Sequence, residues 1–313
     1  VATFAWIATI YTGRPVFKVP FLYFAGFVLL FVIGGVSGVM TAAVPLDWQL
    51  TDTYFVVAHL HYVLLGINVF PVIGGIYYWF PKFTGRMMSE RLGKIGFAVT
   101  FIGFNVAFFP MHIAGLLGMP RRIYTYAPDM GWTTVNQITS LGSFVFALGV
   151  LIFLIDVAWS YRRGPIAGKN PWDAPTLEWS VASPPPPYNF ATLPFVASRH
   201  PLWEDRLPEA SKTRLRSVLD EGYILDHGRE ALGTTALDAE PDIILKMPED
   251  SYAPFLLGLF SALVFAGMAL QAWWLTGAAG IACAVVLIVW LWPERKLVQR
   301  EPYPVHDEGG ALG

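Results

Sequence analysis

Residues 50–71 read LTDTYFVVAHLHYVLLGINVFP. The stretch is apolar, long enough to cross a bilayer, and carries His59 and His61 near its middle. A helix turns about 100° per residue, so residues two apart point about 200° apart. The two imidazoles therefore face opposite sides of one helix. One metal cannot easily use both, whereas two metal centres, one on each flank, can. Imidazole is a common axial ligand of haem iron, and ionisable groups inside membranes are functional by default. One reading is a helix wedged between two haems. The other is a pair of buried histidines bonded to their neighbours.

The rest of the chain has the composition of a polytopic membrane protein. Of 313 residues, 55% are hydrophobic and only 14% charged, and the mean hydropathy is +0.49. A net charge of −2 argues against a nucleic-acid partner. Twelve Trp and thirteen Tyr fit interfacial belts and cofactor packing. Cys283, the single cysteine, has no internal disulfide partner and reads as a small packed residue. The sequence starts at Val1 inside an apolar segment, so an upstream part is expected.

Four domains are expected: membrane helices over 1–163, a proline-rich polar cytoplasmic extension over 164–250, a two-helix membrane hairpin over 251–293 and a cytoplasmic tail over 294–313. In the first, residues 1–11 read as the end of a helix. Full spans are expected over 21–43, 52–80, 92–117 and 133–161, with 43–50 a short loop. Gly26, Gly34, Gly35 and Gly38 allow close approach by a neighbouring helix. Positive charge marks the loops 14–18, 82–94 and 162–169, which the positive-inside rule places in the cytoplasm. Arg121 and Arg122 fall on the outer side and need a separate cause.

The extension, with prolines 184–187, reads as polyproline and irregular structure, with a short amphipathic helix expected over 214–232. The hairpin is expected over 253–275 and 278–292, split at Thr276 and Gly277. Gly258, Ala262, Gly267, Gly277, Gly280 and Ala284 are its small contact residues. It holds no histidine or charged residue between Pro254 and Pro293, so no chemistry is expected from it.

DTYFVVAHLHYVL, residues 52–64, resembles the signature helix of subunit I of haem–copper terminal oxidases of the cytochrome c oxidase type. The resemblance runs from Phe4 to about Pro187. It implies an all-α fold: a polytopic membrane helix bundle, the C-terminal part of a twelve-helix core. It implies an enzyme that reduces oxygen to water with electrons from cytochrome c, coupled to proton translocation in a bacterial plasma membrane. This stretch alone is not expected to be active. Subunits II and III and the lipid bilayer are the implied partners. The implied cofactors are two haems of the A type, copper held by the missing upstream part, and magnesium.

Carried over by resemblance, His59 is the proximal ligand of the high-spin haem and the catalytic residue. His61 is one axial ligand of the low-spin haem. The second low-spin ligand and the copper ligands are expected upstream. Gly118-Met119-Pro120-Arg121-Arg122 matches an arginine pair that binds haem propionates, which accounts for two positive charges on the outer side. Asp47 resembles an acid near the high-spin propionates. Asp52 matches the aspartate of a His-Asp magnesium pair, although Thr51 stands where the histidine is usual. For both acids the competing reading is helix N-terminal charge and capping. His112, in FFPMHIAGLLGMPRR, is read as structural and hydrogen-bonded, and His200, His227 and His306 as solvated.

Two departures concern proton delivery. Ala2 stands near the place of a family lysine, and Leu65 where a serine is common. The competing functions are a quinol oxidase or nitric oxide reductase of the same superfamily, and a cofactor-free membrane transport or assembly protein. Tyr54 and Tyr62 beside the histidines weigh against the first two.

Overall fold

The computed structural model describes residues 1–186, 190, 194, 196–204, 230–237, 241–246 and 250–292. It is overwhelmingly helical, and two units are described separately. The first, residues 1–173 with 182–184, is a membrane bundle. It begins with α1 (Ala2–Thr12) and α2 (Val19–Ala42). Lys18 is the extended residue before α2, and Pro20 sits in its first turn, where a missing N–H costs nothing. The 43–50 segment, expected as a loop, is a short helix, α3 (Val44–Leu50), again opened by a proline.

The central helix runs from Tyr54 to Thr84. Thr53 caps it, its hydroxyl accepting from the Phe55 N–H at 3.2 Å. It has three parts: α4 (Tyr54–His61), a π-turn over Tyr62–Gly66, and α5 (Ile67–Thr84). The π-turn was not expected. It starts immediately after His61, and the Ile67 N–H reaches back to the Tyr62 carbonyl. Gly66 makes room for it, because a Cβ there would stand 3.2 Å from both Leu30 and Phe104. Two more spans follow, α6 (Glu90–Leu116), capped by Ser89, and α7 (Thr133–Arg163).

Helix α4–α5 is packed between α2 and α6, and α7 lies along α6. The core is aromatic: Tyr23, Phe70, Tyr77, Phe104 and Tyr62 are all buried within it. Glycines set the closest contacts. Gly26 packs on Phe97, Gly34 on Tyr62 and Gly38 on His59, as expected, but Gly35 faces open space. The α6–α7 seam depends on three glycines that the sequence reading did not name. Gly103 lies on the Phe146 backbone, Gly142 on that of Ala107 and Gly149 on that of Thr100, so any side chain there would meet main chain.

The loops that carry positive charge come together at one end. Arg86 Nη1 donates to the Gly164 carbonyl at 2.7 Å, and Lys82 Nζ donates to the carbonyls of Lys169 and Ala182 at 3.3 and 3.2 Å. Lys18 Nζ lies 5.0 Å from the ring centroid of Trp172, whose indole N–H donates to the Tyr78 carbonyl at 2.9 Å. Lys82, expected as a loop charge, is only 6% exposed. Its stem lies in the last turn of α5, where a cation complements the helix dipole.

A second feature of that end is Asp156, which is fully buried. Its Oδ2 accepts from the Tyr77 hydroxyl at 2.8 Å. Its Oδ1 accepts from the Ser160 hydroxyl at 2.9 Å and the Ser89 N–H at 3.3 Å. One carboxyl thus joins α5, the start of α6 and α7. The sequence reading passed over it, although it is the one acidic residue in α7.

The second unit, residues 174–181 with 185–313, contains a small antiparallel hairpin and a pair of helices. Strands β1 (Glu230–Thr234) and β2 (Pro241–Lys246) pair with Glu230 opposite Lys246. The expected helix over 214–232 is corrected at its end, where 230–232 is strand; its remainder lies outside the described residues, as does the tail over 294–313. Pro241 opens β2, where a strand tolerates proline.

Helices α8 (Ala253–Ala269) and α9 (Trp273–Leu291) form the expected hairpin. The break falls at residues 270–272 rather than at Thr276 and Gly277. Gln271 adopts a positive φ of 56°, and the Ala272 N–H closes on the Gly267 carbonyl at 2.8 Å. Of the six small residues, Gly267 makes the close approach, with Thr276 Oγ1 2.6 Å from where a Cβ would stand. Gly258, Gly277 and Gly280 face open space. Five described helices are long and apolar enough to cross a membrane: α2, Tyr54–Thr84, α6, α7 and α9. The chain is a multi-pass membrane protein.

Candidate functional site

His59 and His61 face different neighbours, as the 200° separation requires. His59 points at α2. Its Nδ1 lies 3.1 Å from the Gly34 carbonyl and 3.0 Å from Ser37 Oγ. Ser37 Oγ itself donates to the Gly34 carbonyl at 3.0 Å. Gly38 completes the seat: a Cβ there would stand 2.9 Å from His59 Cε1. His61 points at α6. Its Nδ1 lies 2.7 Å from the Val57 carbonyl, and its ring stacks on Phe108 at 4.4 Å and 14°.

The tautomers follow from these contacts. A carbonyl only accepts, so each Nδ1 facing one carries the hydrogen. Each Nε2 then keeps its lone pair. A neutral imidazole that donates through Nδ1 to a carbonyl is the usual arrangement of a metal-bound histidine, with ring orientation fixed and basicity raised by the second bond. The donor set therefore fits two haem irons, one on each flank of α4. Both rings are half-buried.

His112 is a different case. It is 8% exposed, its Nδ1 meets the Phe109 carbonyl at 3.2 Å, and its ring packs edge-on against Phe55 at 4.9 Å. Its Nε2 is buried without a partner. The hydrogen bond agrees with the structural reading at one nitrogen, and the other nitrogen is left unsatisfied.

The opposite end of the bundle from Lys82 and Arg86 carries the remaining predicted residues. The loop after α6 is stitched to the start of α4: the Tyr54 N–H donates to the Met119 carbonyl at 2.9 Å and the Arg121 N–H to the Asp52 carbonyl at 2.8 Å. Arg121 Nε donates to Asp52 Oδ1 at 2.6 Å, and its Nη2 forms an ion pair with the same oxygen. Asp52 and Arg122, flanking this stitch, both have positive φ, 56° and 65°. Residues without glycine's freedom hold such angles only where surrounding structure imposes them, and such strain gathers at functional sites.

Asp52 and Arg121 are thus brought together, and Arg122 is exposed beside them. Asp47 sits half-buried in the first turn of α3, where an acid complements the helix dipole. Among the described residues no group of three or more His, Cys, Asp or Glu is arranged to hold a metal ion. The one acid expected at a magnesium site instead faces a guanidinium. Among the described solvated histidines, His200 is exposed as expected; His227 and His306 lie outside the described residues.

Comparison with known proteins gives the following. The family described as "Cytochrome C and Quinol oxidase polypeptide I" matches residues 1–145. Cytochrome c oxidase subunit 1 of Bacillus subtilis (strain 168) is 47% identical over 204 residues, 65% of this chain and 33% of that protein. The protein of the same description from Alkalihalophilus pseudofirmus is 40% identical over 268 residues, 85% of this chain and 39% of that one. That second likeness runs well past the family match, so relatives share much of the extension. A solved haem–copper terminal oxidase dimer aligns with a TM-score of 0.44 and 22% identity, covering 50% of this chain and 29% of that one. The chain spans about a third of the length of the curated relatives it matches.

Proposed function

Because this chain belongs, through residues 1–145, to the cytochrome c and quinol oxidase polypeptide I family, we propose that it is part of the catalytic subunit of a terminal respiratory oxidase. The oxidase reduces oxygen to water with electrons from cytochrome c and couples this to proton translocation in a bacterial plasma membrane. The observation that carries the reading is the pair of imidazoles on one helix, each with Nδ1 held by a carbonyl and Nε2 left as a lone pair. The two curated relatives reported above both bear the description cytochrome c oxidase subunit 1, which favours that donor over a quinol.

The family implies haem and copper. His59 would hold the high-spin haem and His61 the low-spin haem, both of the A type, with copper and the second low-spin ligand supplied by residues outside this chain. Bound haem and copper supply the electron transfer and oxygen chemistry that no side chain provides. What the chain contributes is orientation and basicity. Gly34 and Ser37 fix the His59 ring and strengthen Nε2 as a donor, and Gly38 leaves space for the ring edge. Val57 and Phe108 do the same for His61. Subunits II and III would complete the complex. An optical spectrum of the full-length assembled protein tests the reading: haem absorbance is expected, with distinct losses on changing His59 or His61.

Arg121, Arg122 and Asp47 would meet the haem propionates. Since Arg121 already pairs with Asp52, the two arginines are expected to differ. Arg122→Gln should perturb the haem absorbance through lost propionate contact and leave the loop folded. Arg121→Gln should also loosen the 118–122 loop, because Asp52 loses its partner. Equal effects on haem absorbance and on proteolysis of that loop would contradict this division. A magnesium at Asp52 would share the carboxylate with Arg121, whose two contacts are both to Oδ1.

The domain division is also proposed: an oxidase core over 1–163, an extension, a hairpin over 251–293 and a tail. The hairpin would anchor the chain in the membrane. Truncation after Asp250 is expected to leave turnover per haem unchanged while the yield of assembled complex falls. Collapse of turnover with both haem signals intact would give the hairpin a part in the chemistry.

A further inference from the structure

Helix α7 shows one face to its surroundings for most of its length. Leu148, Leu151, Ile155 and Trp159 are each about half exposed, at 51%, 51%, 54% and 54%. Their spacing of three, four and four places them in one row, and Arg162 continues it. At the foot of the row lies a hollow of about 350 Å³ lined by Ile155, Ala158, Trp159, Arg162 and Arg163. Ala158, three residues after Ile155 and four before Arg162 on α7, contributes only a methyl group to this lining.

The polar side of the hollow is cationic. The Arg163 guanidinium lies over the Trp159 ring, 4.6 Å from its centroid. That contact holds one charge in place without neutralising it. No carboxylate pairs with Arg162 or Arg163 among the described residues. Asp156, on the same helix, is turned inward and committed to Tyr77, Ser160 and Ser89.

We propose that this hollow binds one anionic phospholipid, its phosphate between Arg162 and Arg163 and one acyl chain along the Leu148–Ile155 row. Three observations converge on that ligand. The row from Leu148 to Trp159 spans about 16 Å at 1.5 Å per residue, half of a hydrocarbon core of about 30 Å, which is the depth of one leaflet. The arginines stand at the basic end of the bundle, which the positive-inside rule assigns to the cytoplasmic leaflet, where anionic lipids concentrate. Guanidinium groups bind phosphate oxygens in pairs and keep their charge. The α7 C-terminus carries about half a negative charge, which two full positive charges outweigh. The haem reading is not needed for any of these steps.

The test uses the assembled oxidase complex, stripped of lipid in detergent and titrated with phosphatidylglycerol or phosphatidylcholine under native mass spectrometry. The wild-type complex is expected to bind one phosphatidylglycerol that phosphatidylcholine does not replace. Arg162→Gln with Arg163→Gln should weaken that site about thirtyfold, from two basic residues at the membrane surface. Ala158→Phe keeps both charges and fills the hollow, so it should also lose the lipid; it keeps the question answerable where the charge variant disturbs insertion. Unchanged phosphatidylglycerol binding in either variant, or equal binding of phosphatidylcholine, would overturn the proposal. Displacement of the lipid by millimolar inorganic phosphate would assign the site to a free anion instead, and would equally overturn it.

Discussion

His59→Ala is expected to abolish oxygen reduction while leaving low-spin haem absorbance in place. The two imidazoles are two residues apart and serve opposite flanks: His59 is tied to α2 through Gly34 and Ser37, and His61 lies against Phe108 of α6. Removing one ring leaves the other's contacts untouched. The loss should exceed the roughly 10–100-fold that changes in supporting hydrogen bonds cause, because it removes the proposed ligand itself. Ser37→Ala supplies the comparison. It removes one of two partners of the His59 Nδ1 and should fall inside that range, with both haem signals retained. His61→Ala should instead remove the low-spin signal. Loss of both signals from a folded His59→Ala complex would contradict separate ligation, and retention of full turnover would remove His59 from the chemistry.

The parts of this site that were legible in the sequence depend on local pattern. Long apolar runs gave the spans, and the period of a helix alone put His59 and His61 on opposite flanks. What escaped depends on contacts between distant segments. The π-turn after His61 forms where Gly66 meets Leu30 and Phe104, and nothing within residues 62–66 announces it. The pairing of Asp52 with Arg121 joins residues 69 apart, so each was read alone, one for magnesium and one for a propionate. The close approach of α6 and α7 uses Gly103, Gly142 and Gly149, whereas Gly35 and Gly280, equally small, meet nothing. Composition says which residues permit contact; only the partner helix decides which of them are used. The hairpin of β1 and β2 was hidden by Gly233 and Pro241, which read as loop residues in short segments. Asp156 was the avoidable miss. A lone acid in a 31-residue apolar helix is costly unless its oxygens are satisfied, and that cost is itself the signal.

Asp156→Leu should be among the most destabilising single changes in the bundle. The carboxyl accepts from the Tyr77 hydroxyl, the Ser160 hydroxyl and the Ser89 N–H, in a place with no exposure. Leucine keeps the branched skeleton and is bulkier, so the cost is not a cavity but three donors left without acceptors, with overpacking beside it. Ser160 can turn to the carbonyl four residues back, as serines in helices do. Tyr77 and Ser89 have no such alternative, and each buried unsatisfied group costs about 1–3 kcal/mol. A loss of about 2–6 kcal/mol follows from those two groups. Asp156→Asn should cost far less, because one oxygen remains an acceptor and the Tyr77 hydroxyl can reverse its role and accept from the amide. Tyr77→Phe removes a single donor and should fall between the two. Combined with Asp156→Leu it should add little, since the two changes delete the same contact. The measurement is the thermal midpoint of the assembled complex in detergent, followed by haem absorbance and by tryptophan fluorescence. If Asp156→Leu melts with the wild type, or if Asn is as damaging as Leu, hydrogen-bond satisfaction is not what Asp156 contributes. In the second case the carboxylate charge itself, facing the start of α6 at Ser89, becomes the property that matters.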